Sequence, residues 1–160
     1  MSGKSPTIKI SDLSGAKAAI ISARWHSEIC DQLVAGATRA IKEANIQSID
    51  LYEVPGSFEL PLAAKLALTN GADFAVVLGV VLRGETPHFD YVCQGVTNGV
   101  MKVSLKLDKP IGFGVLTVDN IEQAIARSGA PGSKEDKGYD SAIAALELLR
   151  LKRQLSGRFA

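Results

Sequence analysis

The sequence predicts a three-layer α/β/α domain whose central parallel sheet has about four strands. Short runs of apolar, β-branched residues alternate along the chain with longer runs in which apolar residues recur at helical spacing. The run from Phe74 to Leu82 is apolar throughout, as expected of a strand that is covered on both faces. Strands separated by helices form right-handed βαβ crossovers, and these make a sheet parallel.

The predicted elements follow one another in a regular order. Strands are expected where short apolar segments rich in β-branched residues occur, at 18–22, 49–54, 74–82 and 111–117. Helices are expected where apolar residues recur every three or four positions, at 27–44, 58–69, 87–107, 120–128 and 137–155. The first of these helices, for example, has one apolar face, made of Ile29, Leu33, Ala37, Ala40 and Ala44.

The chain is expected to form one domain at residues 18–160, because no repeat or linker divides it. Residues 1–17 precede the first strand and are expected to form an arm, with room for a short strand from Thr7 to Ile10. Such an arm would fray on a lone domain. It could instead add a strand to the sheet of another subunit.

Charge and composition exclude several classes of protein. The chain has 18 Lys and Arg against 17 Asp and Glu, and a net charge of +1 attracts neither nucleic acid nor an anionic membrane. The polar N-terminus has no apolar signal region, and no apolar run is long enough to span a membrane. A cytoplasmic protein is therefore expected. A hydrophobic fraction of 46% leaves room for a buried subunit interface.

The two cysteines, Cys30 and Cys93, lack the spacing of metal ligands. Both fall on apolar faces of predicted helices, so the sequence predicts two buried, reduced thiols and no metal site.

Ligands of open parallel sheets bind beyond the carboxyl ends of the strands. In this chain the reactive residue types gather there, at Arg24 to His26, Pro55 to Glu59, Arg83 to His88 and Val118 to Asn120. Trp25 is the only tryptophan; it could stack on a planar ligand or fill the top of the core. His26 is expected to be structural.

The turn after the second strand contains Gly56, Ser57, Phe58 and Glu59. Ser57 and Glu59 suit a helix start, because a hydroxyl caps free N–H groups and the helix dipole favours a carboxylate. The same oxygens could instead accept hydrogen bonds from a polyhydroxylated ligand.

The turn after the third strand contains Gly84, Glu85, Thr86 and Pro87. Thr86 suits the N-cap and Pro87 the first helical position, so free backbone N–H groups would face a small anion such as phosphate. A plain capped helix start explains the same residues equally well. His88 follows at once, where an imidazole could serve as a general base.

Two cations follow the fourth strand. Arg127 ends the fourth predicted helix, where any cation complements the helix dipole. Lys137 begins the last helix, where the same dipole disfavours it. This placement indicates another use for Lys137.

These residues resemble the 6,7-dimethyl-8-ribityllumazine synthase family. The resemblance covers nearly all of residues 18–151 and rests on four segments, Gly79 to Val92, Pro55 to Pro61, Pro110 to Thr117 and Asp136 to Gly138. It implies a flavodoxin-like fold and a transferase of riboflavin biosynthesis. The implied reaction condenses 5-amino-6-(D-ribitylamino)uracil with 3,4-dihydroxy-2-butanone 4-phosphate, without metal or organic cofactor, and releases phosphate and water.

The resemblance also implies roles for individual residues. Residues implied to bind the pyrimidine and its ribityl chain are Trp25, Gly56, Ser57, Phe58, Glu59, Val80, Val81, Leu82, Phe113 and Lys137. Residues implied to bind phosphate are Gly84, Glu85, Thr86 and Arg127, and His88 is implied to shuttle protons. Phe113, Arg127 and Lys137 would come from the adjacent subunit.

Family members form pentamers, some of which assemble further into decamers or icosahedral shells. The loop between Arg127 and Lys137 resembles that of members that stop at pentamers or decamers, which favours a pentamer here. Two alternatives remain open at this point, an archaeal-type riboflavin synthase and a non-catalytic module that binds a flavin or ribityl compound. Neither the alternatives nor the main hypothesis involves a nucleic acid or membrane partner.

Overall fold

The computed structural model describes residues 9–157. Its sheet has four parallel strands, ordered β2-β1-β3-β4, with bounds β1 Lys17–Ala23, β2 Ser48–Val54, β3 Phe74–Leu82 and β4 Ile111–Val118. The helices are α1 Ser27–Glu43, α2 Leu60–Thr69, α3 His88–Leu107, α4 Ile121–Ile125 and α5 Lys137–Leu155. A 3-10 turn, Ser57–Glu59, precedes α2. The predicted α/β class and parallel sheet are confirmed.

Helices cover both faces of the sheet. Successive side chains of a strand point to opposite faces, and in β1 Ile20 packs with α1 and α5 while Ile21 packs with α2 and α3. Each face therefore has its own apolar core, and together with the sheet they make the three predicted layers.

No helix among residues 9–157 is long and apolar enough to cross a membrane.

Two predicted helices differ from the structure by more than one residue at an end. The helix expected at 58–69 begins as the 3-10 turn and becomes α-helical only at Leu60. The helix expected at 120–128 ends at Ile125, because Ser128 pairs with Asp136 in an isolated β-bridge. Gly129, with φ of 81°, then reverses the chain. A residue eight positions away thus ends this helix, which helical periodicity does not reveal.

Part of the predicted arm packs on its own chain. Leu13 and Ala16 are buried in the core, and the Leu13 N–H donates to the Ala44 carbonyl at 2.9 Å. Of the strand predicted from Thr7 to Ile10, Thr7 and Ile8 lie outside the described residues, and Lys9 and Ile10 are not in a strand. The arm's contact with another subunit stays a prediction.

The thiols differ from each other. Cys30 is buried as predicted, and desolvation raises its pKa to about 11. Cys93 is only partly buried, so the prediction of two buried thiols is wrong for this residue, although desolvation raises its pKa as well. Its position on α3 lies at the margin of the core made with α2.

Candidate active site

The four strands end at one edge of the sheet, which we call the rim and define by the residues that follow each strand: 24–26, 55–59, 83–88 and 119–120. From β1 the chain crosses to β2 on one side, and from β3 it crosses to β4 on the other. Such a reversal opens a crevice beyond the strand ends, where doubly wound sheets bind ligands.

Trp25 projects from the rim. It is 69% exposed, so it does not fill the top of the core. With His26, Pro55 and Ile125 it lines an open cleft of about 640 Å³. His26 adopts a left-handed conformation, φ 58°, at the N-cap of α1, which supports the structural role expected for it. The indole therefore presents a free face on which a planar ring can stack.

Ser57 carries a buried hydroxyl without a partner. Its side chain lies in the turn before α2 and is only 6% exposed, yet its Oγ has no hydrogen-bond partner among the described residues. Gly79 makes the space for it, because a Cβ there would lie 2.6 Å from the Ser57 Oγ. An unsatisfied buried hydroxyl costs about 1–3 kcal/mol, so this atom is suited to a ligand hydroxyl.

Glu59 and Phe58 have structural contacts in the same turn. The Gly56 N–H donates to Glu59 Oε2 at 2.8 Å, so this carboxylate stabilises the start of the turn and its second oxygen stays available. The cap predicted from Ser57 is wrong, because its Oγ accepts from no N–H group of the described residues. Phe58 is exposed and lies over α3 where Gly95 leaves room, since a Cβ at Gly95 would meet the ring at 2.7 Å.

The turn after β3 is open to solvent. Gly84, Glu85 and Thr86 are exposed, and among residues 9–157 no backbone carbonyl accepts from their N–H groups. The N-cap of α3 is Pro87, not Thr86 as predicted, and it provides no side-chain cap. The Pro87 carbonyl accepts from the Asp90 N–H at 3.0 Å, which starts the helix one residue later. The free N–H groups suit an anion.

His88 is the first residue of α3 and is exposed. It follows the open turn directly, so an imidazole stands beside the place where an anion would bind. His88 is next to the turn because it follows it directly in the sequence. The structure shows in addition that its side chain is accessible to solvent.

The segment Val80 to Leu82 forms the end of β3 below the turn. Val80 and Val81 are buried and Leu82 is partly buried, so these residues can offer only their backbone and a small apolar surface to a ligand.

Phe113, by contrast, lies away from the rim of its own chain. It pairs with Val77, five residues before the end of β3 and therefore about 16 Å below the rim. It lies on β4 at the edge of the described sheet and is 39% exposed. Phe113 cannot join Trp25 within one chain.

Arg127 and Lys137 are brought together by Glu135. Lys137 Nζ lies 2.5 Å from Glu135 Oε2 and 3.1 Å from Asp140 Oδ2, and the Glu135 carboxylate raises the lysine pKa. The Arg127 guanidinium donates to the Gln123 carbonyl at 2.9 Å and lies 3.9 Å from Glu135. The two cations thus form one ion-pair cluster with Glu135 and Asp140, and none of its described contacts reaches Trp25, Ser57 or His88.

Asp136 fixes the loop that carries this cluster. It caps α5 by accepting from the Tyr139 N–H at 2.9 Å and pairs with Arg39 of α1 at 2.6 Å. Side chains at Gly36 or Gly129 would collide with its carboxylate, so both glycines are needed for this close packing. Sequence reasoning did not identify this anchor, because Arg39 and Asp136 lie 97 residues apart.

Arg83 was also left without a role by the sequence. Its Nε donates to Asp119 at 2.9 Å, and its guanidinium lies 4.1 Å from the centre of the Phe89 ring. The Asp119 carboxylate raises the pKa of Arg83. Both residues follow neighbouring parallel strands, which is the signal that could have paired them.

No group of three or more His, Cys, Asp or Glu side chains in the described part of the chain could hold a metal ion.

Comparison with known proteins identifies relatives over almost the whole chain. The family model described as 6,7-dimethyl-8-ribityllumazine synthase matches residues 15–153. The chain is 48% identical to the 6,7-dimethyl-8-ribityllumazine synthase of Streptomyces coelicolor over 98% of both chains. It is 52% identical to that of Paenarthrobacter aurescens, over 98% of this chain and 100% of the relative. It is 51% identical to that of Kineococcus radiotolerans, over 92% and 91%.

Proposed function

The chain belongs to the 6,7-dimethyl-8-ribityllumazine synthase family, and we propose that its rim condenses 5-amino-6-(D-ribitylamino)uracil with 3,4-dihydroxy-2-butanone 4-phosphate. The products are the lumazine, inorganic phosphate and water, and the protein acts as a transferase of riboflavin biosynthesis. The observation that carries the assignment of the rim is the unpartnered hydroxyl of Ser57, a residue that is 6% exposed and lies against Gly79 of β3.

The pyrimidine substrate fits one side of the rim. Trp25 stacks on the ring, and the backbone of residues 80–82 lines its edge. The ribityl hydroxyls donate to and accept from Ser57 Oγ and donate to the free oxygen of Glu59. This arrangement satisfies the buried hydroxyl that the chain leaves unpaired.

The butanone phosphate fits the turn at residues 84–86. Its phosphate accepts hydrogen bonds from the free backbone N–H groups there. The dipole of α3 also favours a negative charge at this end of the helix. The substrate carbon skeleton then lies towards His88. The reaction forms an imine between the amine and the ketone, expels phosphate and closes the ring. These steps need positioned reactants and proton transfer rather than a protein nucleophile, and one imidazole can supply the transfer.

The site is completed by a neighbouring subunit. Phe113 lies about 16 Å below the rim of its own chain, and the cluster of Arg127 and Lys137 contacts none of its own rim residues described above. A neighbour can supply all three, with Arg127 on the phosphate and Lys137, kept protonated by Glu135, donating to a pyrimidine carbonyl.

Exposed apolar side chains support an assembly of several copies. On the turn before α2 and on α2 and α3, the exposed large apolar residues are Phe58, Leu62, Leu66, Tyr91, Met101 and Leu105. Large apolar side chains exposed together on neighbouring elements are typical of an interaction surface. Closed cyclic symmetry repeats one heterologous contact around a ring, so each chain can complete its neighbour's site. We propose a cytoplasmic homo-oligomer based on a pentamer.

The activity is tested with purified protein and both substrates. We expect lumazine and inorganic phosphate to appear in equal amounts, with neither product formed from one substrate alone. Incubation with the lumazine alone is the control for a riboflavin synthase. If riboflavin forms there and no phosphate is released from the two substrates, the proposed reaction is wrong.

The shared site is tested by mixing two inactive variants. Trp25→Ala disables one half of the site and Arg127→Ala the other, so dissociation and joint reassembly should restore activity. Random assembly brings two intact halves together at roughly one interface in four, and about a quarter of the wild-type rate is expected. Each variant reassembled alone is the control. If mixed assemblies form, as shown by native mass spectrometry, and no activity returns, each site is built within one chain.

A further inference from the structure

We propose that Arg83 is a positioning residue that fixes the phosphate-binding turn and His88 against the carboxyl end of β4. It is distinct from the residues that contact substrate, and the inference rests on the function proposed for that turn. Its basis is a set of contacts made by Arg83 on both sides of residues 84–88.

Arg83 is joined to the end of β4 by its backbone and by its side chain. Its N–H donates to the Val118 carbonyl at 2.9 Å, and its Nε donates to Asp119 Oδ1 at 2.9 Å. The Asp119 N–H in turn donates to the side chain of Gln123 in α4 at 3.0 Å. The first residue after β3 is therefore held by two consecutive residues of the neighbouring strand's end.

The same guanidinium also reaches the far side of the turn. It lies 4.1 Å from the centre of the Phe89 ring, and its Nη1 lies 3.6 Å from Asp90 Oδ1. Phe89 is buried in the core under α3. Arg83 precedes the turn, while Phe89 and Asp90 follow it. One side chain therefore links the two ends of the segment 84–88, which bears the free N–H groups and the imidazole.

These contacts leave Arg83 poorly placed to bind phosphate itself. Nε and Nη1 face carboxylates, and the guanidinium lies over an aromatic ring. Because Asp119 and Asp90 stand beside it, an incoming phosphate would meet two negative charges. The free N–H groups of the turn present no such repulsion.

Loss of Arg83 should change the position of the turn more than the stability of the fold. The side chains of Arg83, Asp119 and Asp90 are 47%, 66% and 61% exposed, and exposed ion pairs contribute little to folding. Small displacements of reacting groups nevertheless reduce rates strongly. The turn carries both the phosphate contacts and His88, so displacement affects one substrate and the chemical step together.

The test is a double-mutant cycle with Arg83→Met and Asp119→Ala. Methionine still covers the Phe89 ring but lacks the charge and the donors. We expect each single variant to raise the KM for the butanone phosphate and to lower kcat, each about tenfold, with the KM for the pyrimidine unchanged. The inhibition constant of inorganic phosphate should rise in parallel. The double variant should be no worse than either single variant, because both remove the same link.

The matched control is Arg150→Met, which removes a partly exposed arginine whose Nε lies 3.3 Å from a carboxylate, that of Glu147 in α5. Its kinetic constants should equal those of the wild type. If Asp119→Ala lowers the KM for the butanone phosphate, Arg83 binds the phosphate directly and the proposal is wrong. Unchanged constants in Arg83→Met also overturn it. In either case, altered kinetics of His88→Ala and Arg127→Ala would show that the proposed function itself still holds.

Discussion

His88→Ala is expected to lower kcat by about 10² to 10⁴-fold, the usual contribution of a positioned general acid or base. The imidazole is exposed at the start of α3, directly after the turn proposed to bind phosphate. It can therefore take up and return protons during imine formation and phosphate loss. The KM for the pyrimidine should change little, because Trp25 and Ser57 would bind that substrate. Steady-state kinetics with each substrate varied in turn measures both constants.

Gln94→Ala is the control for that variant. Gln94 is an exposed residue of the same helix, so the substitution tests whether any truncation on α3 slows the enzyme. An unchanged kcat in His88→Ala, with the control also unchanged, would exclude His88 as the proton shuttle.

Some reaction should persist without His88. An amine reacts with a ketone without further activation, and holding the two substrates together accelerates their condensation through positioning alone. Residual turnover with unaltered binding is therefore the expected behaviour of this variant. It would be unexpected for an enzyme that depends on a protein nucleophile.

The bounds of a strand or helix could be predicted from the sequence where neighbouring residues alone determine them. The bounds of β3 were predicted without error, because its residues from Phe74 to Leu82 are all apolar and form a strand buried on both faces. The last helix was also predicted at its observed bounds, Lys137–Leu155. The short α4 was predicted too long, because a pairing with Asp136 beyond the loop ends it. Periodicity contains no information on that pairing.

The candidate site was predicted only in part for a similar reason. The residue types after each strand identified the rim, since parallel strands place their carboxyl ends together. The unpartnered state of Ser57 depends on the space left by Gly79, which belongs to another strand. The link between Arg83 and Asp119 spans 36 residues. Contacts of this kind arise from sheet order, which the sequence specifies only through the whole fold.

Arg127→Ala is expected to raise the KM for the butanone phosphate about 10 to 150-fold and to leave the KM for the pyrimidine nearly unchanged. A hydrogen bond to a charged group contributes about 1.5–3 kcal/mol, and about 1.4 kcal/mol corresponds to a factor of ten in affinity. Of its five N–H donors, the described contacts engage Nη1 with the Gln123 carbonyl and Nε with Glu135. The others remain available to a phosphate on the neighbouring subunit.

Folding should survive this substitution, because Glu135 keeps its contact with Lys137 at 2.5 Å. Lys134→Ala is the matched control: it removes an exposed cation from the same loop while preserving the hydrogen bond of its N–H to Ala126. A general effect of lost positive charge would appear equally in both variants. Arg127→Lys should fall between alanine and the wild type, since lysine keeps the charge but loses the two-pronged geometry that suits phosphate. Equal increases in KM for both substrates would show that Arg127 supports the site as a whole, and its assignment to the phosphate would have to be abandoned.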